Sequence, residues 1–163
     1  GREIDNTPTR VEAIDEEEVD EKNQEIISSL RYAKRLQEAL LPPRNLLESF
    51  FKDNYFILYQ PRDIVSGDFY WARKIKTTPR EGKSKEFLLV AVADCTGHGV
   101  PGAFMSLIGK ENLDKAAAIS SSPKQVLSLL NVGVKKSLNQ NENNTNRDGM
   151  DIALININYL GAV

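Results

Sequence analysis

Two aspartates stand where a carboxylate could hold a metal ion. Asp94 follows an apolar run, residues 87–93, that is typical of a buried strand, and it opens a loop rich in glycine. Asp68 follows Gly67 and opens a second predicted strand. A strand end is a rigid platform, and glycine lets the backbone approach a ligand closely. Two carboxylates on facing strands can hold hard divalent cations without histidine or cysteine.

Such a pair supports phosphoester hydrolysis. Two divalent ions roughly 3.5–4 Å apart can clamp a phosphate and lower the pKa of a bridging water, which then serves as the nucleophile in place of a catalytic side chain. The chain has one histidine, His98, and one cysteine, Cys95. This excludes a multi-histidine metal cage and favours Mg²⁺ or Mn²⁺ on oxygen ligands over zinc.

The same residues are compatible with two roles that involve no divalent cation. Asp94 could cap the glycine turn, and Asp68 could be a turn residue after glycine. The glycines at 97, 99 and 102 also match the dinucleotide-binding fingerprint. We disfavour dinucleotide binding because Asp94 would lie beside the pyrophosphate and Pro101 removes an N–H group. The acidic residue expected roughly 20 positions later would also fall on a helix instead of a strand end.

The remaining pattern predicts the elements that position the two aspartates. A helix over residues 21–41 ends at Pro42-Pro43, because proline lacks the N–H group and restricts the residue before it. The later elements are strands over 55–59, from Phe69 to about 75, over 87–93 and over 150–158, and helices over 101–119 and 123–138. Short loops between the early strands favour antiparallel pairing and an α+β fold.

Periodicity also predicts which side chains form the core and where the loops lie. In the two later helices the candidate core residues are Phe104, Leu107, Ile108, Leu113, Val126, Leu127, Leu130 and Val134. The strand over 87–93 is continuously apolar, which predicts burial on both faces. Residues 77–85 are expected to form a hairpin loop and residues 139–147 a surface loop.

Composition narrows the class of protein. A chain of 163 residues, 40% hydrophobic and 27% charged, is typical of one soluble domain. The net charge of −2 gives no basic surface for nucleic acid. No run approaches the roughly 20 apolar residues that a membrane span needs, so we expect no membrane contact. A single cysteine cannot form a disulfide within the chain, which suits a reducing, cytoplasmic location.

Four segments, in order, resemble the PPM-type, metal-dependent serine/threonine phosphatases of the bacterial SpoIIE-like branch. The most specific is Asp94-Cys95-Thr96-Gly97-His98-Gly99-Val100-Pro101-Gly102-Ala103-Phe104-Met105-Ser106. Residues 61–71 resemble the first metal motif of that branch, residues 31–42 the helix leading into its catalytic domain, and residues 147–154 a later strand. The resemblance spans about residues 25 to 160.

The resemblance implies a fold and a site. The fold would be an αββα sandwich with two Mn²⁺ or Mg²⁺ ions between its sheets. Asp68 and Asp94 would be metal ligands, together with the backbone carbonyl of Cys95, whose thiol we expect to be buried and inert. The loop around them would be supported by Gly67, Gly97, His98 and Gly99, with His98 a hydrogen-bond partner in preference to a general acid.

The resemblance also implies that the site is incomplete. The family closes its metal site with aspartates from motifs nearer the C-terminus of the domain. The late aspartates of this chain are Asp148 and Asp151, which we place on an earlier strand, and we do not expect Asp151 to be a ligand. The chain is therefore expected to be truncated, with weak or no activity.

The expected function is hydrolysis of phosphoserine or phosphothreonine on a regulatory protein in bacterial signal transduction. Residues 1–21 would be an acidic tail or linker, residues 22–43 a signalling or dimerisation helix, and residues 44–163 the N-terminal part of the phosphatase domain. The helix would connect to an upstream sensor domain and form a homodimer through residues 22–41, or else pack against its own domain. The alternative function is a non-catalytic, phosphatase-like module that dimerises and binds a signalling partner.

Overall fold

The computed structural model describes residues 10–77, 85–141 and 145–158. The helices are α1 (Arg10–Ala39), α2 (Arg44–Phe51), α3 (Gly99–Ile119) and α4 (Pro123–Ser137), and the strands are β1 (Phe69–Thr77), β2 (Lys85–Cys95) and β3 (Met150–Asn158). The predicted α+β class is confirmed. None of the described helices is long and apolar enough to cross a membrane.

The strands form one antiparallel sheet with β2 in the centre. Phe69 of β1 pairs with Ala93 of β2, and Cys95 of β2 pairs with Met150 of β3. The predicted antiparallel pairing is therefore confirmed. The register brings the start of β1, the end of β2 and the start of β3 to the same end of the sheet.

The core lies between one face of this sheet and the helices α3 and α4. Alternate residues of β2 are buried there, including Leu89, Ala91 and Ala93, and they pack with Leu113 and Val126 from the two helices. The opposite face of the sheet is exposed near the C-terminal end of β2.

The prediction that residues 87–93 are buried on both faces is wrong. Leu88 is fully buried, but Val92, on the same face, is 57% exposed. Side chains alternate between the two faces of a strand, and the open face continues into Asp94. The continuous apolar run therefore belongs to a strand of which the helices cover only one face.

Helix α3 meets the sheet through a face of small residues. A Cβ atom on Gly109 would lie 2.7 Å from Met150 and 3.1 Å from Phe69, so the helix and sheet touch closely at this glycine. The larger Phe104 and Leu107 lie on the other side of the helix, and Phe104 is 64% exposed. Their predicted core positions are wrong. The predicted positions of Leu113 and of Val126, Leu130 and Val134 are confirmed.

Residues 55–59 were predicted as a strand, and this prediction is wrong. The segment is extended but has no strand partner among the described residues. Phe56 is 89% exposed and Leu58 is 75% exposed. A strand requires a neighbour to satisfy its backbone groups, and among the described residues β1 pairs with β2 alone, so this segment does not extend the sheet. The short helix α2, which precedes this segment, was not predicted.

Helix α1 is longer than its pattern predicted. It begins at Arg10 instead of near Glu21, so the acidic run at 15–21 is helical. The helix ends at Ala39, ahead of the two prolines as predicted. The functional division into residues 1–21, 22–43 and 44–163 stays a prediction.

Two predicted loops lie partly outside the described residues. These are the hairpin loop, at residues 78–84, and the asparagine-rich loop, at residues 142–144.

Candidate metal centre

The register of β1 and β2 brings Asp68 and Asp94 together. Phe69 pairs with Ala93, so the residue before β1 and the residue after Ala93 lie side by side. Burial raises the pKa of Asp68, and the charge of Asp94 with a hydrogen bond between the two carboxyl groups raises it further. Two acids held this close resist double ionisation, and a divalent cation between them would relieve that repulsion.

Asp151 extends this pair into a row. It is the register partner of Asp94 on β3, and cross-strand partners project from the same face of a sheet. Asp68, Asp94 and Asp151 therefore follow one another across three strands. Even so, within residues 10–77, 85–141 and 145–158 no three side chains of His, Cys, Asp or Glu are grouped so that they could hold a metal ion.

Cys95 follows Asp94 and is the last residue of β2. Its side chain is buried, and burial followed by the charges of Asp68 and Asp94 raises the pKa of its thiol to about 12. A Cβ atom on Gly67 would lie 3.3 Å from the Cys95 carbonyl oxygen, so this carbonyl is beside the loop that carries Asp68. The donors in place are thus two carboxylates and a nearby carbonyl, all oxygens of the kind that Mg²⁺ and Mn²⁺ prefer.

We expect Cys95 to be inert in the folded chain. A buried thiol whose pKa is about 12 is almost fully protonated at pH 8, and only the thiolate is an effective nucleophile. With Ellman's reagent, the native chain should release no thiol signal within minutes, and one equivalent should appear in guanidinium chloride. Rapid labelling of the native chain would show that this end of β2 opens.

Glycines allow the loop after β2 to reach the loop before β1. Gly97 and Gly99 have φ angles of +85° and +58°, which side chains rarely adopt. A Cβ atom on Gly102 would lie 2.7 Å from the Gly97 carbonyl oxygen and 3.0 Å from the Cα of Gly67. The two loops that carry the carboxylates therefore touch backbone to backbone.

Substitution of Gly102 by alanine should separate these loops. The added methyl group meets only backbone atoms, which cannot rotate away, so we expect a loss of roughly 1–3 kcal/mol in the free energy of unfolding. Gly149→Ala is the matched control because a Cβ atom there meets nothing within 4 Å. Urea denaturation of both variants measures the difference, and equal stability would contradict the close contact.

Thr96 fixes the same loop to the start of β3. Its backbone N–H donates to the Gly149 carbonyl oxygen at 2.9 Å, and the Gly149 N–H donates to its hydroxyl oxygen at 3.0 Å. The hydroxyl also donates to the Gly149 carbonyl at 3.1 Å. These bonds hold Asp94 and Asp151 in register, a role that sequence reasoning did not identify.

Gln37 is the second residue that sequence reasoning missed. It is buried, and its amide donates to the Ser66 carbonyl oxygen at 2.7 Å and to the Ser106 hydroxyl at 2.9 Å. Its carbonyl oxygen accepts from the Ser66 N–H at 2.9 Å. The Ser66 hydroxyl then accepts from the Asp68 N–H at 3.0 Å. The end of α1 is thereby bonded to the loop that presents Asp68.

Asp68 and Asp94 line two depressions in the protein surface. One, of about 190 Å³, is lined by both aspartates together with Arg62, Gly97 and His98. The other is a groove of about 870 Å³ between residues 55–60 and the open face of the sheet. Asp68, Asp94 and Asp151 lie at its polar end, and the rest of its lining is largely apolar and aromatic.

The predicted site residues divide into the two adjacent carboxylates and the residues around them. Asp68 and Asp94 lie side by side at the strand ends, and the Cys95 carbonyl faces Gly67 where the loops of Gly67 and Gly97 meet. His98 lies within hydrogen-bond distance of Asp63, and both side chains are solvent-exposed. Whether these residues bind a metal stays a prediction.

Comparison with known proteins gives a family match and a structural match. The family model for stage II sporulation protein E (SpoIIE) matches residues 84–159. The solved structure of the SiaA-PP2C domain of Pseudomonas aeruginosa matches with 32% identity and a TM-score of 0.66, over 82% of this chain and 49% of that one. A search of curated proteins returned no match.

These matches cover the motifs around Asp94 and the strand with Asp151, and they agree with the observed helices and antiparallel sheet. The chain spans about half the length of the solved domain it matches. The fold is accordingly part of a PP2C domain, in which helices cover one face of this sheet. Together, the family match and the structural match support a SpoIIE-like, PPM-type phosphatase domain.

Proposed function

We propose that this chain supplies part of the site for metal-dependent hydrolysis of phosphoserine or phosphothreonine on a regulatory protein. The observation that carries the proposal is that Asp68 and Asp94 lie side by side at neighbouring strand ends, where burial and the charge of Asp94 raise the pKa of Asp68. The family match supports a phosphatase-type domain in signalling.

In this proposal Asp68, Asp94 and the Cys95 carbonyl would hold Mn²⁺ or Mg²⁺, two ions in the complete site. When bound, the metal supplies charge stabilisation for the phosphoryl group and activates water. The side chains of this chain then bind and orient, and none is needed as a nucleophile. The Cys95 thiol, protonated and buried, is unsuited to that role.

We expect the chain by itself to bind metal weakly and to turn over slowly. Two carboxylates and one carbonyl leave much of an octahedral shell to other ligands. An assay with a phosphoserine peptide and Mn²⁺, compared with the same assay in EDTA, tests this. Rapid metal-dependent turnover by this chain would show that its own residues complete the site.

A non-catalytic role is the second candidate, favoured by the exposed apolar side chains of α1. Val19, Ile26, Leu36 and Leu40 are exposed on this helix, and Val19, Ile26 and Leu40 are spaced by multiples of seven residues, as in a coiled coil. The helix would pair two copies and pass a signal from an upstream sensor domain. Light scattering at high concentration tests the pairing, and a clean monomer would contradict it.

A further inference from the structure

A hydrogen bond joins the two carboxylate-bearing loops at their outer side. The Nδ1 atom of His98 lies 2.8 Å from Oδ2 of Asp63. Asp63 precedes Asp68 by five residues, and His98 follows Asp94 by four. The bond therefore connects the segment before one proposed ligand with the segment after the other.

The glycine geometry beside this bond shows that the loop is shaped to make it. Gly99 follows His98 with a φ angle of +58°, and a Cβ atom on it would lie 3.6 Å from Oδ2 of Asp63. The backbone turn at Gly99 thus passes directly over the carboxylate. Both His98 and Asp63 line the 190 Å³ depression together with Asp68 and Asp94.

The bond is too exposed to matter much for stability. The side chains of His98 and Asp63 are 68% and 38% exposed, and exposed pairs of this kind contribute little to folding. The pair is expected to affect the geometry of the metal site instead, because the two loops that it connects carry the proposed ligands. The position in which such loops hold metal ligands helps to set the affinity of the site.

We infer that Asp63 is a positioning residue of the metal site, acting through His98 to hold the loop after Asp94 against the loop before Asp68. This inference rests on the proposed function of that site. A carboxylate can only accept, so Nδ1 of His98 carries the proton and donates it to Asp63. The imidazole is fixed in one tautomer and one orientation, and the loop is fixed with it.

The tautomer can be measured directly because His98 is the only histidine in the chain. A ¹⁵N-imidazole NMR spectrum above the titration range of histidine should show the Nδ1–H form in the unaltered chain. Asp63→Ala should shift His98 towards the Nε2–H form that free imidazole favours, and Asp63→Asn, which keeps an acceptor oxygen, should preserve Nδ1–H. A predominant Nε2–H form in the unaltered chain would overturn the inference.

The second measurement is the affinity for Mn²⁺ alone, by electron paramagnetic resonance of the free ion. Asp63→Ala should weaken binding by about tenfold while changing the melting temperature by less than about 3 °C. Asp53→Ala is the charge-matched control, since Asp53 is exposed in the turn after α2, and it should leave the affinity unchanged. Asp63→Asn should retain most of the affinity.

A double-mutant cycle tests whether Asp63 acts through His98. Asp63→Ala combined with His98→Ala should bind Mn²⁺ no more weakly than the weaker single variant. Additive losses, or equal affinity of Asp63→Ala and the unaltered chain, would overturn the positioning role and leave the metal site standing. If the unaltered chain binds no Mn²⁺ at millimolar concentration, the metal site itself fails, and the positioning role fails with it.

Discussion

Asp94→Asn should lower metal-dependent phosphatase turnover by more than about 100-fold, a loss comparable to removal of one essential electrostatic group from an active site. Asparagine keeps the size and one oxygen but removes the charge that attracts a divalent cation. Asp94 is the last residue but one of the central strand and lies between Asp68 and Asp151, so no other described carboxylate occupies this central position. The same substitution should abolish the rise in melting temperature that Mn²⁺ produces.

Asp151→Asn is the matched comparison, because Asp151 is the register partner of Asp94 on the same face. It tests the expectation that Asp151 is not a ligand, for which turnover and Mn²⁺ affinity should change little. Both variants should be measured in this chain for metal binding and in any longer form of the protein for turnover. Unchanged hydrolysis by Asp94→Asn would contradict the enzyme and favour the non-catalytic module, most clearly if partner signalling also persists.

The second large effect is expected at Gln37. Gln37→Leu would leave the buried N–H and C=O groups of Ser66 without the partners that they now have at 2.9 and 2.7 Å. An unpaired buried polar group costs about 1–3 kcal/mol, so a loss of roughly 3 kcal/mol in the free energy of unfolding is expected. Because the Ser66 hydroxyl accepts from the Asp68 N–H, the variant should also weaken Mn²⁺ binding.

Urea denaturation and Mn²⁺ titration together test this prediction. Gln24→Leu provides the control, since Gln24 is an exposed glutamine on the same helix, and its effect on stability should be within about 0.5 kcal/mol. If Gln37→Leu is as stable as the control, α1 is not anchored through this side chain. Lost stability with unchanged Mn²⁺ affinity would restrict Gln37 to a structural role.

Several features of the site could be read from local sequence. The apolar run ending at Asp94, the glycines after it and Pro101 in the first turn of α3 each have a short-range physical cause, and the structure has them where they were expected. Buried faces of helix α4 were also predictable, because three- and four-residue spacing places Val126, Leu130 and Val134 on one side. Gln37 left one local signal, because it lies three or four residues from the apolar residues Ala33, Leu40 and Leu41 of the same predicted helix.

Other features depended on residues far apart in the chain. Residues 55–59 have the composition of a strand, yet a strand exists only with a hydrogen-bonding neighbour, and no local pattern specifies that neighbour. The exposure of Val92 likewise depends on which face of β2 the helices cover. Phe104 is exposed instead of buried in the core, because the opposite side of α3, with glycine and small side chains, contacts the sheet more closely.

The two aspartates were identifiable from the sequence alone because each lies in a distinctive local motif, and the α+β class followed from the order of the elements. Only the tertiary structure decided that Asp68 and Asp94 are adjacent, that Asp151 continues their row and that Asp63 reaches His98. The physical reason is register: strand pairing brings residues 26 to 57 positions apart to neighbouring points. A shift of one residue in a strand would turn the side chains of that strand to the opposite face and break the row of Asp68, Asp94 and Asp151.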